Sequence, residues 1–252
     1  MNFLLNHPLA FFVITLALLW IASRVGTYFR KQSLDEGMDE EHFKLILGAT
    51  LTLLGLMIGF TFAMAVGRYD QRKDYEAREA NAIGTEYVRV DVLSAANAAE
   101  LRALLRDYLD QRILYYTSGD SERLRQTRAK TSQLQSELWS EVTASVSAQP
   151  SAVSALVLSG MNDVLNSEGY AEAAWRNRVP LAAWILLISI AIYCNFLLGY
   201  GAHGKTSMLL LVLPIALAIS FFLIADIDSP RSGVIRVDPQ NLESLADSLR
   251  PH

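Results

Sequence analysis

Apolar residues are concentrated towards the two ends of the chain, whereas residues 68–179 hold most of the charge. A single globular core would mix the two kinds of residue more evenly. A bilayer core about 30 Å thick needs about 20 mostly apolar residues in a helix. Four stretches meet or approach this length: Leu9–Ala22, Phe43–Gly67, Val179–Tyr200 and Ser207–Ala225. The pattern predicts four transmembrane helices in two pairs, the last kinked at Pro214 and joined to the third by a tight connection.

The polar region between the pairs has the spacing of amphipathic helices and lacks the alternation of strands. The second span is predicted to continue into it unbroken, because Tyr69, Ile83 and Val90 share one helical stripe. Another helix is predicted to start at an N-cap at Asn97, and a later one to cover Ala152–Leu165 and end near the glycine that follows. The predicted fold class is therefore all-α. The chain is predicted to be an integral membrane protein with a cytosolic helical bundle inserted between spans two and three.

Basic residues at the ends of the spans predict the orientation. Eight flank the spans on the side of the long polar region, against five on the other side. Cytoplasmic loops carry the excess of Lys and Arg, so the polar region and both termini are predicted to be cytoplasmic. The predicted organisation is a first helix pair over 1–67, a cytosolic helical region over 68–178, a second pair over 179–225 and a cytosolic tail over 226–252.

Composition excludes several classes of function. The formal net charge of −4 gives no basic surface of the kind that nucleic-acid binding needs. A single cysteine, Cys194, rules out an intrachain disulfide and a cysteine zinc cluster. The sequence contains no Walker loop, no G-x-S-x-G and no H-E-x-x-H, so an enzyme is not expected. No Asp or Glu lies inside the four spans, which disfavours a proton-relay transporter.

The second span carries two patterns of interest. Small residues recur every three or four positions, which lets helix backbones approach closely in lipid: Gly48, Thr52, Gly55, Gly59 and Ala63. The favoured interpretation is a helix-packing stripe. Threonine hydroxyls in the same span are expected to bond back to the preceding turn.

A second pattern in this span consists of large apolar residues at i, i+4 and i+8, namely Leu54, Ile58 and Phe62. If several copies of the span surround an axis, these side chains form stacked apolar rings that can gate a pore by dewetting. The alternative is contact with lipid or with another helix. The sequence leaves both open.

Two acidic pairs have alternative interpretations. Asp226 and Asp228 are expected to form a polar exit from the membrane before a turn at Pro230, or else to supply part of a divalent-cation site, with calcium as the candidate ion. Glu76 and Glu79 are expected on solvated helix faces with i, i+4 ion pairs. The alternative for this second pair is a charged ring that lines an aqueous vestibule.

Three stretches of sequence resemble the bacterial bestrophin-like family. They are Gly59–Asp70, Glu79–Tyr87 and the late Asp226–Val237, and the resemblance extends over about residues 43 to 240. Bestrophins proper are pentameric ion channels with four spans per subunit, a cytosolic helical region between spans two and three, and a pore lined by span two. The present chain is shorter than eukaryotic bestrophins and lacks their long acidic calcium-clasp sequence after span four.

The resemblance implies an oligomeric bestrophin-like ion channel of the bacterial inner membrane, with the pore lined by the second span. The expected partners are membrane lipids, ions and further copies of the chain, five in all by the resemblance. No cofactor is expected apart from the candidate calcium ion. The alternative is a non-conducting membrane scaffold or sensor whose cytosolic helices bind a partner protein.

Overall fold

A computed structural model describes residues 7–32, 40–202 and 208–250, and this part of the chain is all-helical. The predicted connection 201–205 lies partly outside the described residues. The α-helices are α1 Pro8–Gln32, α2 Glu40–Arg89, α3 Ala95–Thr117, α4 Ser121–Ala148, α5 Ala152–Arg176, α6 Leu181–Gly201, α7 Val212–Asp228 and α8 Gln240–Ser248. Short 3₁₀ turns at Val90–Val92 and Leu209–Leu211 precede α3 and α7.

The chain forms two compact units, each made of two sequence segments. One, the apolar unit, comprises Met1–Arg68 and Arg178–Arg236. The other, the helical unit, comprises Tyr69–Asn177 and Val237–His252. The C-terminal helix α8 therefore belongs with the long middle region.

Aromatic rings and glycines hold the apolar unit together. The ring of Trp184 lies 5.2 Å from that of Phe11 and 6.3 Å from that of Phe221, both edge-on, a favourable arrangement of aromatic quadrupoles. Helices α1 and α6 touch through their backbones. A Cβ atom added to Gly26 would lie 2.1 Å from the carbonyl oxygen of Phe196, and one on Gly199 would lie 1.8 Å from that of Ser23.

The helical unit has a continuous core formed by α2, α3, α4, α5 and α8. Its fully buried side chains follow the spacing of three and four that places residues on one face of a helix: Ile83, Leu101, Leu105, Leu134, Leu138, Val142, Val157, Met161, Val164 and Leu242. Tyr115, Tyr116 and Trp175 add a cluster of edge-on rings with centroids 5.4 to 5.6 Å apart.

Three stretches of the described chain contain helices long and apolar enough to cross a membrane: Pro8–Lys31, Glu40–Val92 and Ala152–Gly201. In the last of these, α6 is the apolar part. Helix α7 has 17 residues, which is at the lower limit of about 17 for a span. A membrane protein is indicated, and the fourth crossing stays a prediction.

One predicted helix holds in the structure, whereas a predicted cap, a helix end and the place of a proline differ. Helix α2 is unbroken from Glu40 to Arg89, as predicted. The N-cap prediction at Asn97 is wrong, because the hydroxyl of Ser94 accepts from the Asn97 amide and Ser94 is the cap. Helix α5 runs on to Arg176, well past the predicted end. Pro214 falls in the first turn of α7, where its missing N–H is tolerated, and not in mid-span.

Candidate functional site

The apolar half of α2 turns one narrow face towards its own unit. Leu54, Thr61 and Ala65 are buried there, and their spacing of seven and four keeps them within about 40° of one another around the helix, at about 100° per residue. The hydroxyl of Thr61 donates to the carbonyl of Met57 at 2.8 Å. Thr52 donates to the carbonyl of Gly48 in the same way, at 2.9 Å, so the expected bonds to the preceding turn are confirmed.

The small residues of the predicted packing stripe lie away from this buried face. A Cβ added to Gly48, Gly55 or Gly59 would meet no other described part of the chain within 4 Å, apart from neighbouring backbone of α2 itself, and Thr52 and Ala63 are exposed. These positions lie about 100° to 180° around the helix from Leu54. Within the described part of the chain, no other helix packs against the three glycines, so the predicted stripe is available to another molecule and its packing role stays a prediction.

The structure separates the three residues of the predicted constriction. Leu54 points into its own unit, Ile58 is half-buried, and the Phe62 side chain is 37 % exposed. Four residues along a helix correspond to a turn of about 40° around its axis. Leu54 therefore lies on the buried face, and Ile58 and Phe62 lie progressively closer to the face that carries the small residues. Phe62, with part of Ile58, is therefore the portion of the row that reaches the surface of a single chain.

The two acids further along α2 are inside the helical unit, so the expectation of solvated faces for Glu76 and Glu79 is wrong. Both side chains are almost fully buried. Both lie on the face of α2 that carries the core residue Ile83, because Glu76 precedes it by seven residues and Glu79 by four. A buried carboxylate needs partners, and both residues have them.

Glu79 forms a buried ion pair with Arg112 of α3. The guanidinium donates from Nε to one carboxylate oxygen of Glu79, and the hydroxyl of Tyr116 donates to the other at 3.1 Å. A second carboxylate, Glu168 of α5, lies 3.5 Å from Arg112 Nη1, and the guanidinium carbon lies 4.5 Å from the ring centre of Tyr115.

The electrostatics of this cluster follow from burial and from its opposed charges. Burial lowers the pKa of Arg112 more than any single interaction raises it, but Glu79, Tyr108 and Glu168 together outweigh burial, and the net shift is upward. Burial raises the pKa of Glu168, against the lowering effect of Arg112. The cluster ties α2, α3 and α5 together through one guanidinium.

Glu76 holds the N-terminus of α8. Its Oε1 accepts from the backbone amides of Asn241 at 3.0 Å and Leu242 at 2.9 Å, and its Oε2 accepts from the Asn241 side-chain amide at 2.6 Å. A carboxylate at this position satisfies the free N–H groups of the first helical turn. Leu245 of α8 packs 3.0 Å from where a Cβ on Gly84 would lie, so α8 is fixed to α2 at two points.

Glu86 is the third buried acid of α2. Its Oε2 accepts from Arg89 at 3.0 Å, and its Oε1 has no hydrogen-bond partner among the residues that the structure describes. Both side chains sit in the space left by Gly160 of α5. Burial raises the pKa of Glu86 to about 7, against Arg89, which lowers it, and with a further increase from Asp163. This carboxyl titrates near neutral pH.

Asp226 and Asp228 each accept backbone N–H groups within the apolar unit. Asp226 accepts from Val234 at 2.7 Å and from Ile235 at 2.9 Å, and Asp228 accepts from Val179 at 3.0 Å. These bonds fix the chain around the end of α7. Among the described residues, no group of three His, Cys, Asp or Glu is placed to hold a metal. Calcium takes about six to eight oxygen ligands, so the calcium prediction stays a prediction that needs oxygens from elsewhere.

A model of the bestrophin-like domain matches residues 9–242 of the chain. The chain belongs to the bestrophin-like family. The match includes α1, which lies outside the stretch of about 43 to 240 that the sequence motifs indicated. No curated protein sequence matches the chain.

Solved structures share the fold of this bestrophin-like chain. A crystal structure of a variant of a bacterial bestrophin homolog from Klebsiella pneumoniae matches with a TM-score of 0.67 at 15 % identity, covering 96 % of this chain and 94 % of that one. Another crystal structure of the Klebsiella pneumoniae homolog matches with a TM-score of 0.65 at 15 % identity. The match covers 94 % of this chain and 95 % of that one. The crystal structure of a variant of another membrane protein matches with a TM-score of 0.67 at 13 % identity. The match covers 94 % of this chain and 97 % of that one.

Proposed function

We propose that the chain is one subunit of a homo-oligomeric ion channel of the bacterial inner membrane, and that the apolar half of α2 lines the pore. The supporting observation is the low burial of α2 within its own chain. Only 11 % of its most apolar stretch is buried, compared with 28 % for α1 and 33 % for the stretch that contains α6. The helix that the family resemblance assigns to the pore is thus the one that its own subunit covers least.

The distribution of side chains around α2 favours contact with other copies of the chain over contact with lipid alone. Lipid suits large apolar residues such as Leu56 and Phe60, which lie on one flank of the helix. The glycine-rich flank offers little side-chain surface to lipid, but it lets another helix backbone approach closely. A ring of subunits would pack these flanks against each other around a central axis, and the family resemblance supplies the number five.

In this proposal, Phe62 and the exposed part of Ile58 face the axis and form an apolar constriction that gates by dewetting. Leu54 contributes less, because it is buried within its subunit. Four crossings would put residues 68–178 on the same side of the membrane as both terminal segments, and the excess of basic residues on that side favours the cytoplasm. The helical unit then forms the cytoplasmic part of the conduction path.

The test of the pore lining is cysteine accessibility in a channel whose only native cysteine, the buried Cys194, is replaced by alanine. Phe62→Cys and Phe60→Cys are compared, since both side chains are exposed on a single chain and lie about 160° apart around α2. A charged, membrane-impermeant thiol reagent is expected to change the current of Phe62→Cys and to leave that of Phe60→Cys unchanged. An effect on Phe60→Cys alone, or an equal effect on both, would contradict the proposed pore face.

A further inference from the structure

An apolar groove runs along the surface of the apolar unit between α1 and α6. The two helices lie parallel, since Phe11 meets Trp184 near their beginnings and Gly26 meets Phe196 further along. Beside this contact they leave a groove of about 390 Å³. Its lining is almost wholly apolar and includes Leu18, Ile21, Val25, Ile192 and Phe196, with Ser189 among its few polar groups.

The groove is open to the medium around the protein. The side chains of Leu18, Ile21 and Val25 are exposed, although each is large and apolar. Both helices belong to the stretches that are apolar enough to cross a membrane, so the groove would face hydrocarbon when these helices span a bilayer. Water has too few polar partners there to be held, whereas a flexible hydrocarbon chain can fill a groove of irregular shape.

The charge at one end of the groove favours an anionic lipid. Helix α1 has no acidic residue, and its last turn carries Arg30 and Lys31. Arg24 follows Ile21 of the groove by one helical turn, and its guanidinium carbon lies 5.9 Å from the ring centre of Trp20. Tryptophan and arginine together are typical of the level of lipid headgroups, and a guanidinium there attracts phosphate.

We propose that the groove holds one acyl chain of an anionic phospholipid, with the chain running from Val25 towards Leu18 and the phosphate beside Arg24. The assignment goes beyond the general contact of a membrane protein with its bilayer, because it names a site, a lipid class and an orientation. It is independent of ion conduction and holds for either a channel or a scaffold.

The test uses the purified full chain in phosphatidylcholine vesicles that contain spin-labelled phosphatidylglycerol. Electron paramagnetic resonance counts the lipids whose motion the protein restricts. Ser189→Phe fills the groove from an exposed position, and Leu186→Phe adds a ring at an exposed position of the same helix outside it. The restricted phosphatidylglycerol is expected to fall by a single lipid per chain in Ser189→Phe and to stay unchanged in Leu186→Phe.

Two further variants make the result decisive. Ile21→Trp fills the groove from α1 and replaces Ser189→Phe if that variant does not fold. Arg24→Gln keeps the groove but removes the charge, so the preference for phosphatidylglycerol over phosphatidylcholine is expected to drop about fivefold. An unchanged count in both groove-filling variants would overturn the proposal. So would a preference that does not respond to Arg24→Gln, or a cross-link between copies through Leu18→Cys that shows a second chain in the groove.

Discussion

At the scale of single residues, the position of an acidic residue around the axis of α2 decides whether it is buried, although all of these residues are charged. Glu76, Glu79 and Glu86 all share the face that carries Ile83 and Val90. The sequence contains this signal, since Glu76 precedes Ile83 by seven residues and so lies on the same side of the helix. A charged residue is almost never fully buried unless it is paired, and the partners Arg112 and Asn241 lie far away along the chain. Their pairing with α2 therefore could not be predicted from local sequence.

The Glu79–Arg112 pair supplies the first prediction. Arg112→Leu leaves the Glu79 carboxylate buried without its cation, so we expect a loss of about 3–5 kcal/mol in the free energy of unfolding. Arg125→Leu is the control, because Arg125 pairs with Glu122 on the solvent side of α4, where ion pairs contribute little. Unfolding in detergent, followed by circular dichroism, compares the two. Similar losses in both variants would contradict the buried pair.

Glu86 supplies a prediction of pH dependence. Its folded pKa, about 7, lies above the ordinary value of 4.5, so the folded chain binds this proton more tightly than the unfolded chain does. The contribution of Glu86 to stability is thus fully present below pH 4.5 and is lost as the pH rises through 7. We expect the Tm of the native chain to fall relative to that of Glu86→Gln across this range. A difference in Tm that stays constant with pH would contradict the assignment.

At the scale of elements, the unbroken helix α2 could be predicted from the sequence, whereas the end of α5 could not. The apolar pattern of the second span and the stripe beyond it keep one phase, so the unbroken α2 follows from the sequence. Gly169 suggested that α5 ends near it, but glycine is tolerated inside a helix at a cost of about 1 kcal/mol, and the buried Ala171, Ala174 and Trp175 carry α5 onward. Packing that involves distant residues outweighs the local signal.

The contact of α1 with α6 provides a prediction at this scale. Gly199→Ala places a methyl group against the backbone of Ser23, which cannot move as a side chain can, so we expect a loss of about 1–3 kcal/mol or more in stability. Gly67→Ala is the control in the same unit, since it has open space around its Cβ position. Thermal unfolding in detergent measures both. Equal stability of the two variants would show that α1 and α6 are not in backbone contact.

At the scale of the whole molecule, the division into apolar ends and a polar middle was enough to predict an all-helical chain with membrane-length apolar helices. The sequence did not reveal that α8 belongs to the helical unit, because Glu76 and Gly84 hold it through contacts distant in sequence. It also could not fix which residues of Leu54, Ile58 and Phe62 reach the surface. That depends on the rotation of α2 against its own unit, which the buried Thr61 and Ala65 set.

The central claim is that several copies of this chain conduct ions through a path lined by α2. The measurement that tests it most directly is ion flux through the purified native protein in liposomes, with reversal potentials recorded under asymmetric salt. Phe62→Ala and Phe60→Ala serve as the matched pair. We expect a selective conductance in the native protein, changed by Phe62→Ala and unchanged by Phe60→Ala. The absence of any conductance in the native protein, at varied pH, calcium concentration and voltage, would contradict the channel and favour a membrane scaffold.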